Sequence, residues 1–162
     1  MKIFFIITDY GSFNNFLAEL TVSLSYEFEV HIACSKSNII HIVDKFDYSK
    51  FNLTFHNVDI SRSPSLFKTI KSAYNIRKII NKVQPTLVYA HFTTGIFPSI
   101  LFKKRNTQYW GTFHGLGINA SSGFRKIIFS IVEFFSFCRL DKILGLLIQS
   151  LKRRHLNIIL VE

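Results

Sequence analysis

Residues able to do chemistry gather in a few short segments of this chain. The sharpest is Thr112-Phe113-His114-Gly115-Leu116-Gly117, a lone histidine set among glycines. Glycine removes the Cβ bulk that would block a ligand, so backbone amides and an imidazole can approach one molecule together. Three companions are Thr8-Asp9-Tyr10-Gly11-Ser12, Ser61-Arg62-Ser63 and His91-Phe92-Thr93-Thr94-Gly95. Asp9 offers a carboxylate to substrate hydroxyls or a cap to the helix that follows. Gly11 permits close approach to a diphosphate or simply makes a tight turn. Arg62 suits a phosphate or a neighbouring carboxylate, and His91 and Thr93 supply polar contacts.

What brings these segments together is their place after short apolar runs. Ile3 to Ile7, Val30 to Cys34, Leu53 to Ile60, Leu87 to Ala90, Tyr109 to Gly111 and Ile143 to Leu147 are apolar nearly throughout, the pattern of strands covered on both faces. Helical patterns lie between them. The first has Phe13, Phe16, Leu17, Leu20 and Leu24 on one side. The second has Leu66, Ile70, Ala73, Ile76, Ile80 and Val83, with Ser63-Pro64 marking its start and Pro85 its end. Others span Gly95 to Lys103 and Gly123 to Phe137, and Lys36 to Lys50 is the least regular stretch. Alternating units of this kind predict one Rossmann-like, doubly wound α/β domain with a mainly parallel sheet. Ligands of such sheets bind at the carboxyl ends of the strands, where all four segments fall. Helix N-termini on that rim favour anions, so the crevice suits a polar, phosphorylated small molecule.

Several chemistries are excluded. The first loop has no G-x-G-x-x-G, and no Walker motif or G-x-S-x-G elbow occurs. The six histidines and two cysteines have no metal-ligand spacing, so no metal and no cofactor is expected, and Cys34 and Cys138 read as core residues. No run approaches the ~18 apolar residues of a membrane span, which predicts a cytoplasmic protein. In the helix from Gly123 only Lys126, Ser130 and Glu133 form a polar stripe. That makes Glu133 an ion-pair partner for Lys126, and the helix one buried in the core or pressed on a membrane or a second domain. The net charge of +10 favours an anionic partner: nucleic acid, acidic lipid or a phosphorylated substrate. Nucleic acid is disfavoured, because no helix-turn-helix, finger or RNA-recognition signature is present.

The segment Phe55-His56-Asn57-Val58-Asp59-Ile60-Ser61-Arg62-Ser63-Pro64 resembles one in family 4 glycosyltransferases that build capsule and O-antigen polysaccharide. So do the helix after it, Pro85 to His91, Thr112 to Gly115, a glutamate-bearing helix and Asp141-Lys142-Ile143, in that order, from Met1 to about Ile159. The chain departs from the family at Thr86, Ala90, Thr94 and Gln149-Ser150-Leu151. The resemblance implies a retaining enzyme of GT-B architecture, with two Rossmann-like domains and a cleft between them. Residues 1–162 would be its N-terminal, acceptor-side domain, with the C-terminal donor domain absent. His114 would hydrogen-bond the transferred sugar or the forming phosphate charge as the catalytic group. Asp9, Gly11, Arg62, His91, Thr93 and Gly115 would line the cleft. Implied partners are a nucleotide-sugar donor held by the missing domain or a partner subunit, a lipid-linked saccharide acceptor, and the anionic inner face of the plasma membrane. The alternative is a non-catalytic acceptor subunit that docks on the membrane and needs a separate donor-binding partner.

Overall fold

The structure, a computed structural model, describes residues 1–37, 42–61, 65–117, 119 and 121–144. Six parallel strands form one sheet in the order β3-β2-β1-β4-β5-β6. They are β1 (Lys2–Asp9), β2 (Glu29–Ser35), β3 (Leu53–Asn57), β4 (Leu87–His91), β5 (Gln108–Thr112) and β6 (Lys142–Leu144). In β1, Phe4 and Ile6 face one core while Ile3, Phe5 and Ile7 face the other. Burial on both sides is what makes the strand apolar at every position. The expected doubly wound parallel sheet is the one observed. The third strand stops at Asn57, short of the expected Ile60, although Val58 and Ile60 are still buried. Of the expected sixth strand, residues 145–147 lie outside the described region.

One face is covered by α1 (Tyr10–Phe16) and α2 (Ala18–Ser25), the other by α3 (Leu66–Val83), α4 (Phe92–Leu101) and α5 (Gly123–Arg139). Where one helix was expected after β1, the chain breaks at Leu17, whose φ of −120° and ψ of −12° fall between the two helices. The break buries Phe13 and Leu17 but leaves Phe16 and Leu20 exposed. In α3, Ala73, Ile76, Ile80 and Val83 are buried as expected, whereas Leu66 and Ile70 are not. Length explains this. A helix of 18 residues runs roughly 27 Å, while β3 and β4, five residues each, run roughly 17 Å. The first turns of α3 therefore overhang the carboxyl rim of the sheet.

The facing of α5 overturns another expectation. Glu133 and Ser136 point inward and are buried, while Phe124, Ile127, Ile131 and Phe134 are 75, 57, 64 and 71% exposed. Glu133 is thus no surface partner of Lys126. Cys34 is buried as expected, but Cys138 lies on the exposed side of α5 and not in the core.

Candidate functional site

The strand order reverses between β1 and β4: from β1 the chain winds one way through β2 and β3, and from β4 the other way through β5 and β6. A crevice opens above the carboxyl ends of strands at such a point. Here a hydrogen bond of 2.8 Å between Thr8 Oγ1 and Thr94 Oγ1 ties the end of β1 to the first turn of α4. His91 closes β4 and Phe92 opens α4 at once, so the segment expected as a loop is a strand end and a first helical turn, and α4 starts before Gly95. Phe92 has φ of +61°, a left-handed conformation for a bulky residue and a local strain of order 1–3 kcal/mol. That strained turn brings its ring to 4.4 Å from the imidazole of His114.

His114 lies two residues past the end of β5 and meets the end of β4. Besides Phe92 it packs on Phe16 at the end of α1, at 5.0 Å between ring centres. Its Nε2 lies 3.0 Å from Nδ1 of His91. His91 is buried, and its Nε2 meets no hydrogen-bond partner. The orphan nitrogen assigns the tautomer. A buried N–H without an acceptor costs more than a bare lone pair, so the His91 proton sits on Nδ1 and is donated to Nε2 of His114. His114 then carries its own proton on Nδ1, away from His91. Burial, and then the neighbouring His114, push His91 down to about 3. Burial also lowers His114 below the usual imidazole value. Both rings are neutral at neutral pH, and the outer one is a fixed donor rather than a cation.

The loop carrying His114 is held from α5. Glu133, 3% exposed, accepts on Oε1 from the Gly117 backbone N–H at 2.6 Å and from Thr93 Oγ1 at 3.0 Å. A carboxylate was needed inward to satisfy those two donors, which is why α5 buries its polar residue. The hydroxyl of Thr93 is therefore committed to the fold. At Gly115 an added Cβ would meet nothing within 4 Å, whereas at Gly117 it would overlap the Phe129 ring. Gly117, not Gly115, is the position where close packing demands glycine.

Asp9 caps α1, accepting from Ser12 N at 3.0 Å and Ser12 Oγ at 2.9 Å. Gly11 lies in the first turn of that helix, where a Cβ would come 3.3 Å from Asp9 Oδ1. Asp9 and Gly11 nonetheless line a polar crevice of about 440 Å³, together with Thr8, Ser35, Ser37 and Asp59. Arg62 lies outside the described residues. Sequence reasoning missed Glu133, Ser35 and Asp59 as site residues. Ser35 ends β2 and Asp59 follows β3, so the carboxyl-end rule that selected the other segments would have found both. Among the described residues no group of three or more metal-ligating side chains comes together. None of the described helices is long and apolar enough to cross a membrane.

The glycosyl transferase 4-like family matches residues 3–145. The chain belongs to that family. No curated protein matches it. Among solved structures it is similar to sucrose-phosphate synthase from Thermosynechococcus elongatus, with a TM-score of 0.67 and 12% identity over 95% of this chain and 45% of that one. It is also similar to UDP-GlcNAc 2-epimerase from Methanocaldococcus jannaschii, with a TM-score of 0.59 and 17% identity over 90% and 39%. A third is MurG from Acinetobacter baumannii, with a TM-score of 0.53 and 11% identity over 99% and 44%. At these identities the likeness is one of fold, of the GT-B type. The chain spans less than half the length of each of these three proteins.

Proposed function

We propose that this family member is the acceptor-side half of a retaining glycosyltransferase, moving a sugar from a nucleotide-sugar donor to a lipid-linked saccharide in capsule or O-antigen assembly. The observation that carries the reading is the neutral His91–His114 pair at the end of β4, on the same carboxyl rim of the sheet as a hydroxyl- and carboxylate-lined crevice. In this role His114 Nδ1–H donates to the sugar or to the charge forming on the leaving phosphate, in a site organised before the substrate arrives. His91 fixes the tautomer, and Glu133 fixes the loop through Gly117. Asp9, Asp59 and the serines of the crevice accept from and donate to acceptor hydroxyls beside Gly11, Gly115 leaves room for the substrate on the His114 loop, and Arg62 adds a cation for phosphate. Donor binding belongs to a second domain or to a partner subunit, so these 162 residues transfer no sugar alone.

The outward apolar face of α5, with Arg125 and Lys126 beside it, supports peripheral attachment to an anionic cytoplasmic membrane surface.

The test is a titration of the purified chain with acceptor saccharides, followed by NMR. Shifts at His114 and the polar crevice that H114A weakens several-fold support the reading. Saccharides that leave both unmoved, or sugar transfer by the chain alone, would overturn it.

A further inference from the structure

A second cavity, of about 310 Å³, opens between the overhanging start of α3 and α5, with α4 as its floor. Its walls are largely apolar: Leu66 from α3, Phe97 and Pro98 from α4, and Ile128, Phe129 and Val132 from α5. Neither the histidine pair nor the polar crevice uses it. Its size and lining suit a small apolar ligand group.

The two spaces stand back to back. Ile60 and Ser61 line both. Thr8 lines the polar crevice and Thr94 the apolar cavity, and the 2.8 Å bond between their hydroxyls forms part of the partition. A molecule occupying both must change from hydroxyl-rich to apolar within the thickness of one side chain. The polar side offers the Asp59 carboxylate among the hydroxyls of Thr8, Ser35 and Ser37, a set that recognises sugar hydroxyls. We propose that the cavity among α3, α4 and α5 binds the alkyl or prenyl chain of an amphiphile whose sugar head occupies the adjoining crevice. This rests on the acceptor-side reading above and adds to it where the acceptor's apolar part is held: in a protein pocket, rather than left wholly in the lipid.

Alkyl glucosides below their micelle concentrations test this, with glucose as the head alone. Titrating the chain with hexyl, octyl and decyl glucoside should show affinity rising about fourfold per methylene until the cavity fills, the exchange of a buried CH₂ from water. Val132→Trp, or Thr69→Phe on the opposite wall should the first variant fail to fold, fills the cavity and should abolish that rise while glucose still shifts the polar crevice. Ile131→Ser, on the outward face of the same helix, should leave the series unchanged. A chain-length rise that survives V132W and T69F, or that I131S weakens, overturns the cavity assignment. No chain-length rise, with glucose still shifting the crevice, overturns the cavity but leaves the transfer reading standing. If neither head nor chain binds, both fall.

Discussion

Removing the carboxylate of Glu133 should loosen the His114 loop before it disturbs the sheet. In the E133L variant two donors lose their acceptor: the Gly117 N–H, 2.6 Å from Oε1, and the Thr93 hydroxyl, 3.0 Å from it. Each such charge-assisted bond contributes about 1.5–3 kcal/mol net, and a buried donor left unpaired costs a similar amount. Leucine regains part of this by apolar burial, which leaves a loss of about 3 kcal/mol. For a chain of this size that corresponds to a fall in Tm of roughly 6–12 °C. E133Q keeps an amide oxygen for Gly117 and should lose only about 1 kcal/mol. Urea denaturation gives both numbers. Amide exchange at Gly117 reports the site itself and should speed up in E133L more than exchange in β1 does. An E133L protein within 0.5 kcal/mol of the parent, with Gly117 still protected, would refute the claim that this glutamate holds the loop.

Stability should fall with acid because of His91. Its folded-state pKa of about 3 lies below the ordinary value of 6.5, so the unfolded chain takes up a proton that the folded one refuses. The contribution is intact above pH 6.5 and shrinks as pH drops toward 3, by about 2 kcal/mol at pH 5. The lowered values of His56 and His114 act with the same sign. H91F should flatten the slope between pH 7.5 and 5, and an unchanged slope would count against the assignment. Gly117→Ala should cost about 1–3 kcal/mol because the Phe129 ring must move, while Gly115→Ala stays within about 0.5 kcal/mol; equal effects in thermal melts would contradict the packing described. Replacing Ile131 and Phe134 by serine should leave Tm within a degree or two, since both are exposed. The same pair should lower co-sedimentation with vesicles containing anionic lipid, and undiminished sedimentation would remove α5 from the membrane-facing role.

The strands were legible because strands buried on both faces are apolar at every position, and β1 is the clearest case. The meeting of His91 with His114, and of Thr8 with Thr94, was legible as well, since the carboxyl-end rule needs only strand ends and a parallel sheet. Helix facing was not. Composition shows α5 as apolar with a polar stripe, and ordinarily the stripe faces water. Here the backbone N–H of Gly117 and the hydroxyl of Thr93 need an acceptor inside, and that demand is set by a loop and a helix start distant in sequence. The exposure of Leu66 had a related cause, because a periodic pattern says nothing of how far a helix outruns its sheet. The choice between Gly115 and Gly117 depends on where one phenylalanine ring lies, which no spacing rule encodes.

Histidine NMR on the ring-labelled chain reads the protonation of the His91–His114 pair and its response to ligand in one experiment. The expected outcome is that His91 and His114 are both neutral at pH 7, with the His114 proton on Nδ1, and that adding an acceptor saccharide shifts the His114 ring while leaving those of His31 and His56 in place. A His114 that titrates near the ordinary 6.5 and ignores the saccharide would contradict it.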